Sequence, residues 1–254
     1  MPQYALARHV FVCVQGEHVV FLDVRKDRYF ALESARTASL GYLVPGWPVP
    51  AQLVVDFVRH DASAAAPALS EQVNRNELTG VLSLLLDKGI LVPESAEGKA
   101  AQATVAQPLR ADLTAEDLDE RPRLGPYLFL RFVSSAVGAR LLLKHRTFET
   151  VVGRVRARAE HGRPRNRSPL PQARLQQLVG SFATLRPFFF AAKDSCLFDA
   201  LSLSEFLAGY GVFPNWVFGV QSRPFAAHCW LQLEGVVLND TVDHVKRYTP
   251  IMVV

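Results

Sequence analysis

A chain of 254 residues that is 49% apolar and 20% charged is long enough to bury one large core or two small ones, which excludes disorder as its resting state. Its formal net charge of +4 belongs to the second half, since residues 1–93 are slightly acidic, and this argues against a nucleic-acid-binding first half. Three cysteines, Cys13, Cys196 and Cys229, form no close pair and so no disulfide framework; they fit a reducing, cytoplasmic setting.

Residues 8–14, 18–24 and 28–32 are rich in β-branched and aromatic side chains and are separated by turn-like Gln15-Gly16-Glu17 and Arg25-Lys26-Asp27, which predicts a three-stranded meander. Ser34 fits a helix cap ahead of Ala35 to Leu43, and Pro45, Gly46, Pro48 and Pro50 stop any helix there. Further helices are expected over Ala51 to His60 and, after an Ala/Ser/Pro-rich loop at 61–68, over Glu71 to Lys88. Residues 1–93 therefore read as a small winged-helix-like α+β domain. From 94 to 123 the chain is Ala-, Gln- and acid-rich with little apolar periodicity, which reads as a linker holding at most one short helix near Thr114 to Leu118.

The second domain is expected over 124–254. It begins with helices at Leu124 to Leu143 and Thr147 to Ala159, then a Pro- and Arg-rich loop at Gly162 to Pro171, then a helix to Leu185. The apolar run from Tyr127 to Leu143, interrupted by Arg131 and Arg140, reads as too short and too charged for a membrane span, and the first ten residues carry no secretory pattern. Arg154, Arg156, Arg158, Arg163, Arg165 and Arg167 oppose only Glu160; they form a solvated basic stretch or a surface for an acidic partner.

Chemistry concentrates near the C-terminus. Lys193-Asp194-Ser195-Cys196 leads into an apolar-periodic helix ended by Gly209 and Gly211, so Cys196 stands at a helix start, where unpaired N–H groups and the helix dipole lower a thiol's pKa and can hold an oxyanion. The alternative for Cys196 is an inert buried thiol. Strands follow at Phe213 to Val220, Ala226 to Leu233 and Val236 to Asp240. In the middle one His228 shares a face with Ala226, Trp230 and Gln232, while Cys229 points the other way. A thiol at a helix start, a histidine on a strand and an acid on the next strand follow the order of an activated-thiol triad. Asp240 is the expected carboxylate and Asp243 the second choice.

Register supplies a test of that choice. A two-residue hairpin at Glu234-Gly235 pairs positions summing to 469 and puts Asp240 opposite Cys229 on the wrong face, so the triad is expected to need an odd connection or a bulge. A zinc site from Cys196, His228, Cys229 and His244 lacks any Cys-x-x-Cys pair and is set aside, so no metal is expected. Cys13, inside an apolar strand, is packing.

At Asp194-Ser195-Cys196-Leu197, Ala227-His228-Cys229-Trp230-Leu231 and Leu238-Asn239-Asp240 the chain resembles the B proteins of lasso-peptide biosynthesis, over roughly residues 124–254. The resemblance implies a transglutaminase-like, papain-related cysteine leader peptidase with Cys196, His228 and Asp240 as catalytic triad. Cys229 stands where an alanine often follows the histidine, and papain's glutamine ahead of the cysteine is missing. Residues 1–93 resemble the recognition domain related to the pyrroloquinoline-quinone chaperone, fused here as in the single-chain form. That implies capture of a precursor's leader peptide, by strand addition at the meander's edge, with Tyr29, Phe30 and Leu32 as candidate contacts. It also implies a partner, an asparagine-synthetase-like cyclase that uses ATP, while this chain needs no cofactor. The rival functions are a non-catalytic precursor-binding scaffold, an amide-transferring enzyme of transglutaminase type and, least supported, a nucleic-acid regulator.

Overall fold

The computed structural model describes residues 4–48, 68–94, 98–113, 124–162, 170–189 and 196–254, with side chains left aside for 68–77. The helices expected at Ala51 to His60 and Thr114 to Leu118, most of the loop from Gly162 to Pro171, and Lys193-Asp194-Ser195 lie outside the described residues. The chain is mixed α and β and divides into two compact units, Met1–Val105 with Ser222–Phe225, and Ala106–Gln221 with Ala226–Val254.

In the first unit, β2 (Val10–Gln15), β3 (His18–Asp23) and β4 (Arg28–Glu33) form an antiparallel sheet in that order, the meander expected from their alternation. A second small sheet was not legible in the sequence: β1 (Tyr4–Ala7) pairs with β5 (Leu91–Pro93) on one side and β6 (Gly98–Lys99) on the other. Between the sheets and α2 (Ala68–Asp87) lies a core that includes Val10, Val19, Phe21, Leu40, Trp47 and Leu85. Ser34 does not cap a long helix. Its N–H extends the ladder to the Glu17 carbonyl at 2.8 Å and its side chain is buried. The chain therefore turns only through the one-turn helix α1 (Ser34–Thr37) and a 3₁₀ stretch, Ala38–Tyr42.

The second unit packs helices on a five-stranded sheet. α3 (Pro126–His145) starts with proline in its first turn, which is preorganised for a helix start and lacks a donor that would go unpaired there. α4 (Phe148–Gly162) and α5 (Gln172–Leu185) follow, then α6 (Cys196–Ala208). Phe132 of α3, Phe182 of α5 and Phe206 of α6 join by ring contacts with centroids 5.1 and 5.6 Å apart. By length and composition alone α3 suffices to cross a membrane, contrary to the sequence reading; Phe132, Ser135, Ala136 and Ala139 are buried on one side, while Tyr127, Leu130, Val137 and Leu141 are exposed. Beyond the end of α6, Gly211 has a φ of +78° that lets the Val212 N–H return to the Leu207 carbonyl.

The sheet runs β11 (Thr249–Val253), β8 (Asn215–Ser222), β9 (Phe225–Leu233), β10 (Val236–Val237) and β7 (Ala111–Asp112). β7 and β6 come from the stretch read as a linker; two-residue edge strands carry too little periodicity to be seen in sequence. β9 is central, and from Cys229 to Gln232 every side chain is buried. A polar side chain there needs a protein partner.

Candidate active site

The site lies where the start of α6 meets β9. Cys196, the first helical residue, is partly exposed; its sulfur receives hydrogen bonds from the thiol and the backbone N–H of Cys229 and interacts with His228. The Cys229 bonds, against burial and with help from His228, lower the Cys196 thiol to about 4. The two faces of β9 thus do not separate Cys229 from the site, as the sequence reading assumed. Cys229 itself, buried and next to the Cys196 sulfur, is pushed well above the ordinary thiol range and stays protonated as a donor.

His228 Nε2 lies 2.5 Å from Asp240 Oδ2, which leaves Nδ1 as the nitrogen able to exchange a proton with Cys196. Burial pulls the imidazole down, but the bonds to Asp240 and Cys196 outweigh it and raise His228 to about 9. Asp240 is pushed up by burial and more strongly down by His228, His244 and the Thr241 N–H, and ends below the ordinary carboxylate range. These directions describe a thiolate–imidazolium pair backed by a carboxylate. His228 also packs against His244, Tyr248 and Trp230, with ring centroids 4.8, 5.1 and 6.1 Å away.

Asp240 reaches His228 by a route the register argument did not foresee. Glu234 and Gly235 form a two-residue turn with φ of +51° and +88°, and Val236 pairs with Leu233 and Val237 with Gln232, so the register sum is 469 and no odd connection is present. Gly235 is required there twice over, since a Cβ would lie 2.6 Å from the Pro108 carbonyl oxygen. β10 stops at Val237. The Leu238 N–H still bonds the Leu231 carbonyl at 2.9 Å, but the Leu231 N–H goes to the Asn239 side chain, Oδ1, also at 2.9 Å. A side chain replaces the backbone, the ladder ends, and Asp240 turns to His228 from the bend before α7 (Val242–Val245).

Residues 136–253 match the Transglutaminase-like superfamily. No curated protein and no solved structure matches the chain. The superfamily includes cysteine peptidases and transglutaminases, and Cys196, His228 and Asp240 all lie inside the matched region of this transglutaminase-like domain.

Four other polar residues of that domain, His244, Asn239, Asp199 and Arg186, complete the surroundings, and sequence reasoning gave none of them a role in a triad. His244 Nδ1 stands 2.8 and 3.0 Å from the Asp240 oxygens; a histidine four residues after an acid was the available signal. Asn239 Nδ2 donates to Asp199 Oδ2 at 2.9 Å, and Arg186 Nη1 lies 3.3 Å from the same oxygen. Asp199 is 3% exposed on the apolar face of α6, and an acid among core positions was its signal. His228, Asp240 and His244 bring ligand atoms within 4.8 Å of one another, close enough for a cation, and here they are joined by hydrogen bonds. Asp243 is 93% exposed in its side chain and pairs with Lys246 at 3.8 Å. Cys13 is buried, which pushes its thiol up to about 12.

In the first unit, Phe30 and Leu32 share the core-facing side of β4, with the Phe30 ring 6.1 Å from Phe21 and Leu32 opposite Val19. Tyr29 points to the other face, opposite Leu22, with its ring 5.6 Å from Phe225 of the same unit. Among the described residues β4 pairs only with β3 in its sheet.

Proposed function

We propose that this chain is a cysteine peptidase that binds the leader of a ribosomally synthesised precursor and removes it during lasso-peptide maturation. The observation that carries the reading is the hydrogen-bonded line from Cys196 through His228 to Asp240, with its charges arranged as thiolate, imidazolium and carboxylate. The Cys196 thiolate attacks the carbonyl carbon at the junction of leader and core. N–H groups at the start of α6 hold the oxyanion. His228 gives the Nδ1 proton to the departing amine, leaving the leader as a thioester on Cys196. Water, losing its proton to His228, then releases the leader as a carboxylate. The first unit, winged-helix-like in this reading, captures the leader as an added strand along β4, an edge with no strand partner among the described residues. An asparagine-synthetase-like, ATP-using cyclase closes the freed amine onto an acidic side chain.

The test is incubation of the purified full chain with precursor peptide, followed by mass spectrometry. A free leader from wild type and none from Cys196→Ala is the expected outcome. Unchanged performance by Cys196→Ala in a reconstituted pathway would mark a scaffold, and transfer of the acyl group to an added amine in place of water would mark an amide-transferring enzyme.

A further inference from the structure

We infer that Asp199 and Asn239 are positioning residues of this site, forming with Arg186 a clamp that ties the nucleophile's helix to the bend carrying Asp240. The inference rests on the proposed roles of Cys196, His228 and Asp240. Asp199 lies one turn after Cys196 on α6, and Asn239 immediately precedes Asp240. The 2.9 Å bond from Asn239 Nδ2 to Asp199 Oδ2 therefore joins the two elements whose relative placement sets the distance from Cys196 to His228 to Asp240.

Each end of the Asn239 amide is committed. Oδ1 accepts the Leu231 N–H in place of the expected backbone carbonyl, and Nδ2 donates to Asp199. This double use ends the β9–β10 ladder one residue before Asp240, and it offsets a register that would otherwise carry Asp240 to the wrong face of β9. Asp199, in turn, is buried with a carboxylate that burial pushes upward in pKa and that Asn239 and Arg186 pull down. A buried carboxylate on an apolar helix is costly unless it is bonded, and the bonds from Asn239 and Arg186 offset that cost.

The test uses the full chain and reads the rate of Cys196 alkylation by iodoacetamide against pH, with leader cleavage measured in parallel. Asn239→Asp keeps the acceptor for Leu231 N–H but sets two carboxylates against each other; Asp199→Asn keeps an acceptor but loses the charge facing Arg186. With Asp240 loosened, the thiolate loses its imidazolium support. The alkylation midpoint should then rise by about one pH unit in Asn239→Asp and by less in Asp199→Asn, while kcat falls about tenfold at unchanged KM. A lowered Tm with an unmoved alkylation profile in either variant would reduce that residue to a purely structural role and overturn its part of the clamp. If Asn239→Asp does not fold, Asp199→Asn decides alone by the same criterion. Failure of the peptidase reading looks different: wild type would release no leader while the variants still shifted the alkylation midpoint.

Discussion

β4 of the first unit and β9 of the second each pair antiparallel with a neighbouring strand, yet their side chains do different work. On β4 the inward positions Phe30 and Leu32 are apolar and belong to the core, and one edge of the strand has no neighbour in its sheet among the described residues. On β9 both edges are paired, both faces are covered from Cys229 to Gln232, and buried positions include the polar Gln232 beside partly buried His228. Gln232 donates to the Gln107 carbonyl at 2.7 Å and His228 is bonded to Asp240. In the proposed function the apolar edge strand offers its backbone to the leader, and the central strand, with its polar side chains satisfied, holds the reacting groups in place.

The largest effect expected from breaking the second arrangement is at Asp240. Asp240→Asn should lower kcat by about a hundredfold or more with little change in leader binding. Asp243→Asn, at an exposed position, should leave steady-state kinetics near wild type. The reverse ranking would remove Asp240 from the site. Circular dichroism must show both variants folded, because an unpaired buried amide alone destabilises.

pH offers a second test. Cys196 is lowered to about 4 and His228 raised to about 9, so the ion pair forms as pH rises through the first value and is lost as pH rises through the second. Cleavage should therefore fall about tenfold per unit below the lower limb, where the thiolate is protonated, and above the upper limb, where His228 has no proton for the leaving amine. A rate that keeps climbing through pH 9, as for an unassisted thiol, would contradict the pairing.

The first unit should respond in another currency. Leu32→Ala, which removes a buried side chain opposite Val19, should cost about 2–4 kcal/mol in urea denaturation of that unit. Tyr29→Ala, on the opposite face from that core, should cost less and weaken leader binding more, by fluorescence anisotropy of a labelled leader. Equal effects of the two variants on binding would show that the strand contributes through its fold alone. Cys229→Ala is expected to have the smallest effect: the alkylation midpoint of Cys196 should move up by about one pH unit with the protein still folded, since one donor to the sulfur is lost.

Hydrophobic periodicity, turn residues and the helix start at Cys196 were determined by the sequence alone, because each depends on near neighbours. They sufficed for the three-strand meander, for α2 through α6 with small shifts of their ends, and for naming three side chains that the fold brings together. What the tertiary structure decided was non-local. The sheet of β1, β5 and β6 joins segments some ninety residues apart. The bend that delivers Asp240 depends on Asn239 meeting Asp199 across 40 positions, which strand alternation cannot encode. The contact of Cys229 with Cys196 likewise arises only when a helix start is laid against a central strand. Periodicity reports which face of an element is buried; only packing selects the group on another element that satisfies a buried polar atom.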